Sequence, residues 1–167
     1  MKNSHLQRNL VLTGGEDRIN QLELFVEKIC DDFYIFDQYY ANILSALSLL
    51  CDLEESVTST EAAKEMHIFF NKDKNGLYFH VKLRDKFLDM ARLYERANMF
   101  GNHEPQMDGI EEDTAVMHIL MRLADKILLN QDKQSITLFF RVTGINEMLG
   151  LQRIQLLEKY YADMVCA

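Results

Sequence analysis

Apolar residues along the chain change period several times, and each change marks an element. Asn9 to Thr13 is a short apolar run closed by Gly14-Gly15, which predicts a strand and a turn. Ile19, Leu22, Phe25, Val26, Ile29 and Phe33 then recur at helical spacing behind Glu16 and Asp17, whose negative charge suits a helix N-terminus. A second helix is predicted from Asp37 to about Glu54 on the stripe Tyr40, Ile43, Leu44, Leu47, Leu50 and Cys51, with Leu49 and Leu53 widening the apolar girth. From Met66 the period falls to two. Met66, Ile68 and Phe70 alternate with His67 and Phe69, Asp73-Lys74-Asn75-Gly76 supplies turn chemistry, and Leu77, Phe79 and Val81 complete a hairpin.

Helical spacing returns over Arg84 to Asn98 through Phe87, Leu88, Met90, Ala91 and Tyr94, and Phe100 to Glu112 is a polar loop carrying the lone proline, Pro105. Asp113 or Thr114 is placed to cap the next helix, with apolar positions Val116, Met117, Ile119, Leu120 and Leu123. Lys126 to Leu129 and Ser135 to Val142 flank Asn130 to Gln134 as a second hairpin, with Ile136, Leu138, Phe140 and Val142 on one face. A last helix is predicted from about Asn146 to Val165. This order argues for an α+β fold, a two-layer sandwich of an antiparallel-dominated mixed sheet with helices on one face. Phe69, Tyr78 and Phe139 fall on the opposite face, where three aromatics require a cover, and the last helix is the expected one.

Composition narrows the class. Residues 1–167 carry no repeat or low-complexity tract, so one domain is expected. The net charge of -8 repels phosphate backbones and argues against a nucleic-acid partner. Neither a signal-peptide run nor a membrane span is present in the sequence, which predicts a cytoplasmic protein with no membrane partner. Cys30, Cys51 and Cys166 are an odd number at wide spacings, which fits reduced thiols, with Cys30 and Cys51 as core residues. His67 and His80 should share the outward sheet face, but no third ligand accompanies them and they read as surface histidines; no metal is expected. Ser45 and Ser48 lie within a helix and lack the turn that a serine nucleophile needs.

Several strings, taken in order, resemble the histidine-kinase-like (GHKL) ATPase superfamily, and within it the small bacterial anti-sigma-factor serine-protein kinases. They are Phe25 to Cys30, Asn42 to Val57, Leu77 to Val81, Leu123 to Asp125 and Ser135 to Val142, so the likeness spans about residues 9–142, with 146–165 as a C-terminal helical extension. The resemblance implies a Bergerat-type ATPase fold and a lid over residues 84–112. It also implies where a nucleotide would be held, and there this chain departs from the family. The three N-box positions that carry Glu, Asn and His in the family fall on Leu49, Leu53 and Val57. Hydrocarbon cannot ligate magnesium, which requires oxygen donors, and phosphoryl transfer then lacks its main electrostatic stabiliser. The Asp-x-Gly-x-Gly motif is replaced by Val81 to Phe87 without glycine, so Leu83 stands where adenine would be read; Asp85 could serve only after a two-residue slip. Thr114 and Val116 occupy the phosphate loop, where side chains obstruct the backbone approach that glycine permits. Asp52, Glu54 and Glu55 read as the solvated end of the second helix.

The resemblance together with these losses implies a non-catalytic regulatory protein-binding module with a degenerate ATP site and no cofactor. Its partner would be a sigma factor or an anti-sigma antagonist, or a second copy in a homodimer. The alternative is an active ATP- and magnesium-dependent serine/threonine protein kinase with shifted ligands. A third reading is a domain that binds another small molecule in a pocket turned apolar by Leu49, Leu53 and Val57.

Overall fold

The computed structural model describes residues 8–12, 17–35, 37–57, 65–83, 86–99 and 112–142, together with Lys159 and Ala162, each in helical conformation. Five strands and four helices follow in the order β1 (Arg8–Leu12), α1 (Arg18–Asp32), α2 (Asp37–Val57), β2 (Met66–Lys72), β3 (Gly76–Lys82), α3 (Phe87–Asn98), α4 (Glu112–Leu123), β4 (Lys126–Asn130) and β5 (Ser135–Arg141). The strands form one sheet in the order β1-β2-β3-β5-β4, and every pairing is antiparallel. The expected sheet was mixed. Antiparallel pairing throughout follows from β5 inserting beside β3, opposite in direction, with β4 turned back by its own hairpin.

Register decides which side chains meet the helices. Ile68 lies opposite Val81, Phe70 opposite Phe79, and Phe79 opposite Leu138, so the apolar members of each alternation share one face. These residues join Leu22, Val26 and Ile29 of α1, Ile43, Leu47 and Leu50 of α2, Met90 of α3 and Met117 of α4 in one core. Phenylalanines run through its centre: Phe70 and Phe79 stand 5.2 Å apart, with Phe33 against Phe70 and Phe140 edge-on to Phe79. Each such pair adds about 1 kcal/mol beyond the burial of its area. Cys30 and Cys51 are buried in that core, and neither is in a disulfide.

Local chemistry ends the elements. Tyr34 takes a left-handed conformation (φ 54°) and Ile35 N–H reaches back to Cys30 O at 2.9 Å, which satisfies a terminal carbonyl of α1 and turns the chain toward α2. In the β2–β3 turn Asp73 Oδ1 accepts from Asn75 N–H (2.7 Å) and Gly76 N–H (3.2 Å). Gly76 is required by packing, since a Cβ there would lie 2.1 Å from Phe140 O.

Some boundaries and faces differ from expectation. α2 runs on to Val57, a turn beyond Glu54. α4 starts at Glu112, so Asp113 and Thr114 lie in its first turn instead of capping it. Ile19, Leu88 and Ile119 stand exposed despite apolar spacing, because each falls at the margin of its helix's stripe while Leu22, Met90 and Leu120 take the buried positions. The predicted last helix, apart from Lys159 and Ala162, the cover it would form and the loop 100–111 lie outside the described residues. None of the described helices is long and apolar enough to cross a membrane.

Candidate functional site

The positions to which the family resemblance assigns nucleotide chemistry are on the helix side of the sheet. Leu53 (1% exposed) and Leu83 (2%) are members of the hydrophobic core, and Val116 packs against it half-buried. Thr114 is buried in the first turn of α4, and Leu49 is half-buried on α2. Val57 closes the last turn of α2, and its side chain lies outside the described residues, as does Asp85. Leu53 and Leu83 are thus members of one packed core, and neither hydrocarbon side chain can ligate a divalent cation. Among the described residues no group of three His, Cys, Asp or Glu side chains could hold a metal ion.

Glu54 is a correction. Expected at the solvated end of a helix, it is buried, with Oε1 accepting from Lys86 Nζ at 3.1 Å and Oε2 lying 3.8 Å from the Arg18 guanidinium. Lys86 Nζ also donates to the Glu54 carbonyl at 3.3 Å. Arg18, itself buried, further approaches Met66 Sδ (3.9 Å), which receives the Cys51 thiol at 3.3 Å. Three elements, α1, α2 and the entry to α3, are therefore clamped through one carboxylate. A carboxylate so occupied by cations is a structural tie and a poor candidate for activating a hydroxyl. Asp52, one position before Leu53, is exposed as expected.

The outer face of the sheet carries the second group of sites. His67 and His80 share that face, as do Phe69, Tyr78 and Phe139, all as expected from the alternation. His80 is engaged on both nitrogens, with Nδ1 2.7 Å from Thr137 Oγ1 and Nε2 3.1 Å from Asn71 Oδ1, so its ring has a fixed place in the sheet surface. Tyr78 donates its hydroxyl to Asp73 Oδ2 at 2.9 Å and packs on Phe139 at 4.8 Å. Burial raises the Tyr78 pKa, and the accepting Asp73 carboxylate raises it further. Burial pushes the Asp73 carboxyl up, but its hydrogen bonds from Asn75, Tyr78 and Gly76 together hold it below the usual range.

Beside this aromatic pair an open cleft of about 500 Å³ is lined by Lys74, Tyr78, Lys126, Leu128, Phe139 and Arg141 among others. A smaller one of about 330 Å³ adjoins it at β4, lined by Tyr94, Met121, Asp125, Lys126, Ile127 and Leu128. Sequence reading missed both clefts, whose residues come from separate elements and carry no local motif.

Comparison with protein-family models, with curated proteins and with solved structures finds no match for this chain.

Proposed function

We propose that the chain is a non-catalytic regulatory module that acts by binding another protein, built on a Bergerat-type, histidine-kinase-like scaffold whose nucleotide ligands have been replaced. The supporting observation is the burial of Leu53 and Leu83 in the core, where the family resemblance puts a magnesium ligand and the adenine-reading residue. Element order supports the same reading: a strand, two helices, a hairpin, two helices and a hairpin. Phosphoryl transfer is positioning and charge neutralisation around the metal and the phosphates, so a site without oxygen ligands retains little of it. Regulation by protein contact needs only the scaffold's surfaces. The partner belongs to the class of sigma factors or their antagonists, and the setting is the bacterial cytoplasm.

Calorimetric titration of the full chain with ATP, with and without magnesium, tests the reading. The expected outcome is no saturable heat that depends on magnesium. Specific Mg-ATP binding abolished by EDTA would overturn it, and labelled phosphoserine on a candidate antagonist protein would establish the active kinase instead.

A further inference from the structure

The sheet ends on one side at β4, which pairs with β5 alone among the described strands. An edge strand presents a row of unpaired backbone groups, and natural proteins cover, charge or use such an edge. β4 is short and alternates in exposure. Lys126, Leu128 and Asn130 point to the outer face, with Leu128 52% exposed, while Ile127 and Leu129 turn toward the helices and pack against the core. The other edge differs: on β1, Arg8 is ion-paired with Asp32 and lies over the Phe33 ring.

Two clefts meet at β4 and share Lys126 and Leu128 in their linings. On the outer face the cleft gathers three cations, Lys74, Lys126 and Arg141, around Tyr78 and Phe139, and none of its described lining residues is acidic. Two carboxylates beside it are hydrogen-bonded: Asp73 accepts from two backbone amides and the Tyr78 hydroxyl, and Asp125 accepts from the Arg141 backbone N–H. Among the described residues neither Lys126 nor Arg141 has a carboxylate partner for its side chain. The three cations of this cleft outnumber the two carboxylates beside it, Asp73 and Asp125, on a chain whose net charge is -8. The second cleft is walled by Tyr94, Met121, Ile127 and Leu128, with Asp125 and Lys126 completing its lining.

We propose that the β4 edge is a docking site for an extended segment of a protein partner, added as a sixth strand and alternating acidic with apolar side chains. Successive side chains of a strand point to opposite faces, so such a segment would set its carboxylates against Lys126, Arg141 and Lys74 and its apolar residues against Tyr94, Met121 and Ile127. Backbone pairing supplies affinity, and the two clefts supply selectivity. This inference rests on the reading of the chain as a protein-binding module and names the chemistry of its partner.

The test is selection of short random peptides displayed on phage against the immobilised full chain, with the double variant Lys126→Glu/Arg141→Glu selected in parallel. Thermal melts of both proteins check folding, and Lys126→Gln/Arg141→Gln replaces the double reversal if that variant does not fold. Enriched sequences should alternate Asp or Glu with Val, Ile or Phe. A synthetic peptide of that pattern should bind with an affinity that falls about tenfold or more on charge reversal and weakens with added salt. Absence of enrichment, enrichment of sequences without acidic residues, or equal binding to the variant would overturn the proposal. So would a dimer in sedimentation that Leu128→Lys dissolves, because the edge would then belong to a second copy. The Mg-ATP titration separates this failure from that of the broader reading: with no Mg-ATP bound and no peptide selected, the module stands and only this surface falls.

Discussion

Asn71 Oδ1 can only accept, so the proton of neutral His80 belongs on Nε2, and Nδ1 receives the Thr137 hydroxyl. Burial lowers the pKa of this ring below 6.5, and the nearby Lys133 charge lowers it further. A depressed folded value means that the unfolded chain takes up the proton first. The stability His80 contributes is therefore complete above the unfolded value and is lost as pH falls through the folded one. Urea midpoints of the wild type and His80→Gln, compared between about pH 7.5 and about pH 5, should show the smaller acid-induced fall in the variant. Equal falls in the two proteins would mean that the ring is not held neutral by its site.

Among the elements, α2 departs most from its sequence reading. Its polar end was expected in water, yet Glu54 draws Lys86 and Arg18 into a cluster that ties three helices. Glu54→Ala should lower unfolding stability by about 2–3 kcal/mol, because the buried carboxylate is the centre of the tie. Asp52→Asn, on the exposed face of the same turn, should stay within about 0.5 kcal/mol. Chemical denaturation of both variants makes the comparison. The reason Glu54 was misread is physical: helical periodicity describes one element at a time, while Lys86 is 32 residues further along the chain. Where the needed information is local, as in the alternation of Met66 to Phe70 or the Asp73 turn, the sequence shows the element plainly. The β4 clefts were invisible for the same reason as the Glu54 cluster. Lys74 comes from a turn, Lys126 from β4 and Arg141 from β5, and only the order β3-β5-β4 puts them together. The carbon at Leu53 and Leu83, in contrast, was readable one residue at a time, and the fold adds that both are packed in the core.

For the whole molecule, the decisive strand is the last one. β5 pairs with β3 on one side and β4 on the other, and Ser135 through Phe140 are all buried. A chain stopped after Lys133 should therefore lose its cooperative unfolding transition and associate, as judged by circular dichroism melts and light scattering; a sharp melt in that shortened chain would contradict the central role given to β5. This arrangement also has a cost in time. While the chain is being made, β3 emerges with Leu77, Phe79 and Val81 facing the core and β2 beside it, and roughly 50 residues must follow before β5, its second neighbour, exists. At about 5–20 residues per second that interval lasts on the order of 3–10 s, which is long compared with hairpin formation in microseconds. During translation the nascent chain would present an unsatisfied apolar strand edge for seconds, and a holding chaperone would find its substrate there, at β3.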